Sequence, residues 1–85
     1  MTDSEIKQTM IVLRELLADL EHEQWIAWSK SVASTEVISP DRLERWKKLW
    51  VPYNELSEEA KDQDRIWADK SIEAVESILG VCEDD

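Results

Sequence analysis

The first half of the chain lacks the two residues that most readily break helices. From Met1 to Ser39 the sequence contains neither glycine nor proline. Within it, apolar residues recur in steps of three and four, at Ile6, Met10, Leu13, Leu17 and Leu20. This spacing is typical of one face of an α-helix, and Thr2 with Glu5 fits a capping box at its start. We therefore predict a long first helix that extends to about Ala33.

Two more helices follow from capping residues. Ser39-Pro40-Asp41 combines an N-cap, a proline at the first helical position and an acid at the positive end of the helix dipole. This predicts a short helix to about Trp50, ended by Pro52. Ser57 caps a third helix, and Gly80 fits its C-terminal cap. The expected fold is all-α: one domain over residues 1–85, with two long, roughly antiparallel helices, a short middle helix and ordered loops.

The small size of the domain makes large side chains important for its core. A chain of 85 residues buries a modest share of its surface, and the five Trp are the expected core residues. The third helix is expected to turn one stripe inward, made of Ala60, Trp67, Ser71, Val75, Ile78 and Cys82, with Ile66, Ala68, Ile72 and Leu79 beside it. The first helix carries more leucine than one partner helix needs, so a homodimer is a second expectation. Residues 82–85 form the expected acidic tail.

Charge limits the partners of the chain. Its net charge of −10 argues against nonspecific binding to nucleic acid or to an anionic membrane. Residues 25–50, however, hold five basic and three acidic groups and four of the five Trp. This segment is either a solvated basic helix face or an anion-binding surface. A single cysteine, a polar N-terminus and the lack of an apolar run long enough to span a bilayer indicate a cytoplasmic protein, in a bacterium or an infected host cell.

Two motifs resemble those of the RyR domain, the repeat unit of ryanodine receptors. His22-Glu23-Gln24-Trp25 matches an H-x-x-W motif, and the stretch from Val51 to Arg65 looks like V-P-Y-x-x-L-x-E-x-x-K-x-x-D-R. The resemblance covers about residues 18–76, with residues 1–17 as an N-terminal part of the first helix. Residues 33–37 depart from the family pattern, because a G-W-x-Y-G segment is absent there. That departure removes part of the cleft that the family would supply.

The resemblance implies a non-catalytic module with a cleft for an adenine nucleotide or a similar planar ligand. Stand-alone members of this kind occur in bacteria and their viruses. Carried onto this chain, the candidate ligand-binding residues are His22, Trp25, Tyr53, Arg65, Trp28 and Lys30. No cofactor is implied. Asp64 falls on the inward side of the third helix, where we expect it to accept hydrogen bonds from His22 or from the Pro52–Asn54 loop.

Each candidate also has a structural interpretation. His22 can be a hydrogen-bonded structural residue, and the Trp pairs at helical spacing can be core. The lone histidine and the distant Cys82 cannot form a zinc site, and no nucleophile with a base and an orienting group is evident, so we expect no enzyme activity. Two hypotheses remain. The chain is either a binding module for a nucleotide-type small molecule, or an acidic protein–protein interaction module that binds a basic partner and serves as a bacterial or phage accessory or anti-defence protein.

Overall fold

A computed structural model describes residues 2–80 of the chain. It contains three α-helices: α1 (Asp3–Thr35), α2 (Pro40–Lys48) and α3 (Glu58–Leu79). A 3₁₀ turn over Tyr53–Glu55 lies between α2 and α3. The all-α prediction, with two long helices and a short middle one, is confirmed. The predicted inward position of Cys82 and the predicted acidic tail lie outside the described residues.

The helix starts follow the predicted caps. The backbone N–H of Glu5 donates to Thr2 Oγ1 over 3.1 Å, and the Thr2 N–H donates to Glu5 Oε1 over 2.8 Å, which completes the capping box. Ser39 accepts a hydrogen bond from the backbone of Arg42 at the start of α2. Ser57 likewise accepts one from the backbone of Ala60 at the start of α3. These side chains satisfy N–H groups that have no partner within the helix.

The helix ends agree less closely with the sequence-based bounds. Gly80 closes α3 in the left-handed conformation, with φ of 74°, as predicted. The prediction that the second helix reaches Trp50 was wrong, because α2 ends at Lys48. Its last turn tightens into a 3₁₀-type hydrogen bond from the Trp50 N–H to the Lys47 carbonyl, 3.2 Å long. The chain then enters the extended backbone that Pro52 requires.

The two long helices pack antiparallel. Arg14 pairs with Asp69, and further along α1 His22 lies beside Asp64. As the residue numbers increase along α1, the numbers of their partners on α3 decrease, so the two helices run in opposite directions. The short α2 and the 3₁₀ turn close the end of this hairpin where α1 ends and α3 begins. This end holds the candidate residues of the sequence.

The core between α1 and α3 is built on alanine, which corrects the prediction that the five Trp form it. Ala18 and Ala68 are fully buried, Tyr53 is buried beside them, and Leu17 and Leu56 pack against this cluster. None of the five Trp is buried. The small side chains let the two helix backbones approach closely, which leaves no room for an indole ring between them.

The predicted inward side of α3 is confirmed only in part. Ala68, expected beside the stripe, is fully buried, and Asp64, expected on the inward side, lies beside His22 of α1. Trp67, however, is 54% exposed, and Val75 and Ile78 are exposed as well. Arg65, next to Asp64, pairs with Glu15 of α1, so polar contacts accompany the buried alanine on this side of α3.

The alanine pair gives a direct test of this packing. We expect Ala68→Leu to lower the free energy of unfolding by about 1–3 kcal/mol, because three extra carbons must fit into a closed interface. The shift in melting temperature is measured by circular dichroism. Ala74→Leu, the same change at an exposed position of α3, is the control and should leave the melting temperature nearly unchanged. Equal effects of both changes would contradict the alanine-based core.

Candidate ligand cleft beside His22

His22 is a buried side chain with a partner on each ring nitrogen. Its Nε2 lies 2.8 Å from the carbonyl oxygen of Val51, so this nitrogen carries the proton and donates. Its Nδ1 lies 3.5 Å from Asp64 Oδ2. The loop after α2 therefore contacts His22 rather than Asp64. Of the two partners expected for Asp64, His22 lies beside it, whereas the described residues show no hydrogen bond to it from the Pro52–Asn54 loop. His22 joins α1 to this loop and to α3.

Asp64 is a mostly buried carboxylate with few partners. Burial raises the pKa of its carboxyl group above the ordinary value, while the nearby His22 acts in the opposite direction. No side-chain or backbone hydrogen bond to Asp64 is found within residues 2–80, beyond the 3.5 Å approach of His22. Its carboxylate therefore keeps capacity to accept a hydrogen bond from a further group.

The aromatic rings form a continuous layer from His22 to α2. The rings of His22 and Trp25 stack with centroids 6.1 Å apart and planes 13° from parallel. Trp46 of α2 meets Trp25 edge-on, with ring centroids 5.9 Å apart, and meets Trp28 at a tilt of 52°, with centroids 5.8 Å apart. This contact holds α2 against the end of α1, since edge-to-face aromatic pairs of this spacing are favourable.

An open cleft of about 280 Å³ lies on the His22 side of this layer. α1, α3 and the segments on both sides of the 3₁₀ turn all contribute to it. Its lining consists of Glu21, His22, Trp25, Leu49, Leu56, Ala60, Gln63, Asp64 and Trp67. The walls are thus apolar and aromatic, and the polar groups are two carboxylates, one amide and one imidazole. Apart from His22, this lining contains no basic residue.

The six candidate residues do not share this cleft. His22 and Trp25 line it, whereas Tyr53 and Arg65 are not among its lining residues. Trp28 lines a shallow neighbouring depression with Trp25, and it is 55% exposed. Lys30 does not line the cleft, and its Nζ lies 5.5 Å from the ring centre of Trp50. The structure therefore brings together the two residues of the H-x-x-W motif.

Tyr53 and Arg65 instead form a polar network with Glu15 of α1. The guanidinium of Arg65 donates to both carboxylate oxygens of Glu15, at 2.8 and 2.9 Å, and the Tyr53 hydroxyl donates to Glu15 Oε1 at 2.9 Å. Arg65 also donates to Glu58 and Asp62 over 2.9 Å. Every side of the guanidinium is thus occupied by a carboxylate of this chain.

The network shifts the pKa of each member. Hydrogen bonds from Arg65 hold the pKa of Glu15 below its ordinary value, against an opposing effect of burial. Burial, together with the bond to Glu15, raises the pKa of Tyr53 to about 12. The bonds to Glu15, Asp62 and Glu58 raise the pKa of Arg65. The network is therefore ionised at neutral pH, with Tyr53 as a neutral donor.

Sequence reasoning missed several residues of the site and of the network. Glu15 lies seven residues before His22, which is two helical turns, so that its position on the same face of α1 was a detectable signal. Glu21, Gln63 and Leu49 enter the cleft through tertiary packing. No sequence motif points to them.

The described residues show neither a metal-binding cluster nor a membrane-spanning helix. Within residues 2–80, no group of three or more His, Cys, Asp or Glu side chains is placed to hold a metal ion. No helix of this part of the chain has the length and apolar character needed to cross a membrane. Comparisons with family models, with curated proteins and with solved structures found no match to the chain.

The pKa shifts predict a loss of stability in acid. The folded-state pKa of Glu15 lies below its ordinary value of 4.5, so its stabilising effect is complete above that pH and is lost as the pH falls through the folded-state value. We expect Glu15→Gln to cost about 1 kcal/mol at pH 7 and to flatten the acid limb of the stability curve. Urea unfolding at several pH values measures both effects.

Glu23→Gln is the matched control, because Glu23 is an exposed residue of α1 that takes part in none of the described ion pairs. This variant should keep the acid limb of the unmodified protein. If Glu15→Gln and Glu23→Gln gave the same curve, the network would have no part in acid stability.

Proposed function

We propose that the protein is a non-catalytic binding module that holds a flat, nitrogen-containing ring, such as the adenine of a nucleotide-derived ligand, in the cleft beside His22. The observation that carries the proposal is the cleft itself: about 280 Å³ of open space, with the ring of Trp25 on its wall and the carboxylate of Asp64 beside it. This combination of an apolar enclosure and a few polar groups is typical of small-molecule sites.

The chemistry of the lining favours a ligand that donates hydrogen bonds. Asp64 and Glu21 offer carboxylate oxygens, and Gln63 offers an amide that can both donate and accept. An exocyclic amino group or a ring N–H would suit these acceptors. Stacking on an indole such as that of Trp25 is worth about 1–3 kcal/mol per base.

A phosphate group does not suit the same lining. Glu21 and Asp64 would repel it, and the basic residues of the middle segment lie elsewhere, with Arg42 stacked on Trp46 and Lys30 on Trp50. We therefore propose that the base enters the cleft and that any phosphate remains outside. The expected ligands are therefore compounds that are recognised through their base, rather than nucleotides in general.

The absence of catalysis remains part of the proposal. The described lining of the cleft contains no Ser, Thr, Cys or Lys side chain that could act as a nucleophile. His22 Nε2 is engaged by the Val51 carbonyl, which leaves this nitrogen unsuited to proton transfer with a ligand. We further propose a cytoplasmic location, which the single cysteine of the sequence supports.

A second candidate is an acidic module that binds a basic protein partner. The outer side of α3 favours it, because Glu59, Asp62 and Glu73 are exposed there. Such binding would weaken steeply as salt rises, whereas base stacking in the cleft would change little. Pull-downs with a lysate at low and high salt would separate the two candidates, and recovery of no partner at either salt would remove the second.

Calorimetric titration with adenosine, AMP, cyclic AMP and ADP-ribose tests the ligand proposal. We expect binding of adenosine at least as tight as that of AMP, because the lining is acidic. Trp25→Ala should weaken binding roughly 10- to 100-fold through the lost stacking. Ala60→Met, which fills the cleft from α3, should also weaken it while the helical circular dichroism is retained.

Ala74→Met is the control for the filling variant, because Ala74 is an exposed residue of the same helix that does not line the cleft. It should bind like the unmodified protein. Absence of heat with all four compounds, or equal weakening by both Met variants, would count against a ligand in this cleft.

A further inference from the structure

The end of the hairpin opposite to the cleft leaves an apolar groove open between α1 and α3. Its volume is about 410 Å³. The groove is lined by Ile6, Met10, Leu13 and Leu17 of α1 and by Ser71, Ile72, Val75, Glu76 and Leu79 of α3. The apolar side chains of this groove would be buried if the core between α1 and α3 extended to this end of the hairpin. Along both helices, the buried Ala18 and Ala68 lie between the lining residues of this groove and those of the cleft.

A second groove of about 400 Å³ continues the first across α1. It is lined by Gln8, Thr9, Val12, Leu13 and Leu16, so that Leu13 belongs to both grooves. We call the two grooves together the apolar face. Glu76 is the one charged residue among their lining side chains, in a chain of which 35% is charged. The composition of this face therefore differs from that of the chain as a whole.

The apolar face is large enough for a stable interface. Leu16 is 63% exposed and Leu79 is 69% exposed, and Ile6, Val12, Leu13 and Val75 are exposed as well. A standard interface buries about 800 Å² on each partner. Six large apolar side chains that leave roughly half of their surface open, with Met10, Leu17 and Ile72 partly exposed beside them, offer an area of this order. Contiguous exposed patches of this size are uncommon on monomers.

The charge of the chain indicates which partner fits this face. A basic protein would be drawn to the acidic residues elsewhere, and an anionic lipid surface would repel a chain of net charge −10. A second copy presents the same nearly uncharged surface and leaves its own charges in solvent around the contact. A two-fold arrangement makes one such face complementary to itself.

The small core of the single chain also supports a second copy as the partner. Five residues of the described chain are buried: Ala18, His22, Ser29, Tyr53 and Ala68. Pairing of two α1–α3 layers would cover the apolar face of each and give four helices around one core. We infer that the protein forms a homodimer through the apolar face, with the clefts beside His22 at the outer ends of the contact.

Sedimentation equilibrium of the full chain over a wide concentration range tests the dimer. We expect a mass of twice the 9.9 kDa chain at high concentration, and a melting temperature that rises with protein concentration. Salt should strengthen the dimer, because it screens the repulsion between two acidic chains. A partner held by the acidic surface would show the opposite salt dependence.

Leu16→Glu is the diagnostic variant, because Leu16 is exposed on the single chain and its replacement leaves the described core intact. A carboxylate buried at the contact should weaken the dimer tenfold or more. Ile66→Glu is the control: Ile66 is an exposed apolar residue of α3 that lines neither groove. This variant should dimerise like the unmodified protein.

Three outcomes would overturn the inference: a monomer at every concentration and salt, a dimer that Leu16→Glu leaves unchanged, or an equal loss in the Ile66→Glu control. Binding of adenosine provides an independent readout. Because the cleft and the apolar face share no lining residue, Leu16→Glu should leave the affinity for adenosine unchanged. A failed dimer test therefore leaves the ligand proposal standing, and the reverse also holds.

Discussion

The contact between Glu15 and Arg65 is the interaction on which this fold depends. It joins the middle of α1 to α3 through two parallel hydrogen bonds, and Tyr53 adds the loop to the same carboxylate. Arginine suits this place because its planar guanidinium can pair with a carboxylate along one edge and still donate elsewhere. Glu58 and Asp62 take those other donors, so one cation is shared by three carboxylates and reduces the repulsion among them. Ala18 and Ala68 pack beside this contact, but apolar packing alone does not fix how the two helices are oriented.

The V-P-Y motif acts in this structure mainly as a folding element. Tyr53 is a buried donor, Leu56 packs on the core, and Lys61 lies with its Nζ 5.4 Å from the centre of the Tyr53 ring. Asp64 faces His22, and Arg65 faces Glu15. Five motif residues therefore have a packing, cation–π or ion-pair partner within the chain: Tyr53, Leu56, Lys61, Asp64 and Arg65. Glu15, the partner of Arg65, lies before residue 18, so the N-terminal part of α1, outside the resemblance, takes part in the network.

Local signals in the sequence predicted the helices well, because a cap depends on residues three positions apart. Thr2, Ser39, Ser57 and Gly80 all act as predicted. Which residues of the inward side of α3 become buried was not predictable in this way. Helical spacing defines an apolar stripe, but the small Ala68 rather than Trp67 is buried, and the ion pairs of Arg65 and Asp69 with α1 join residues that lie 50 and 55 positions apart. The motifs also predicted that His22, Trp25, Tyr53 and Arg65 share one cleft. His22 and Trp25 line it, whereas Tyr53 and Arg65 bind Glu15, a partner that is distant in the sequence and that no motif indicates.

The small core also explains why the molecule has two separate surfaces. A continuous apolar interface would run from the open groove to the cleft and would draw Trp25 and Trp67 into one core with Leu13 and Leu17. Between the two linings the helices meet instead at the small side chains of Ala18 and Ala68. One end of the hairpin therefore keeps an acidic, aromatic cleft that α2 helps to shape, while the other end keeps a nearly uncharged face. An antiparallel pair of this length, 50 Å in its longest dimension, is long enough for a ligand and a second copy to bind without meeting.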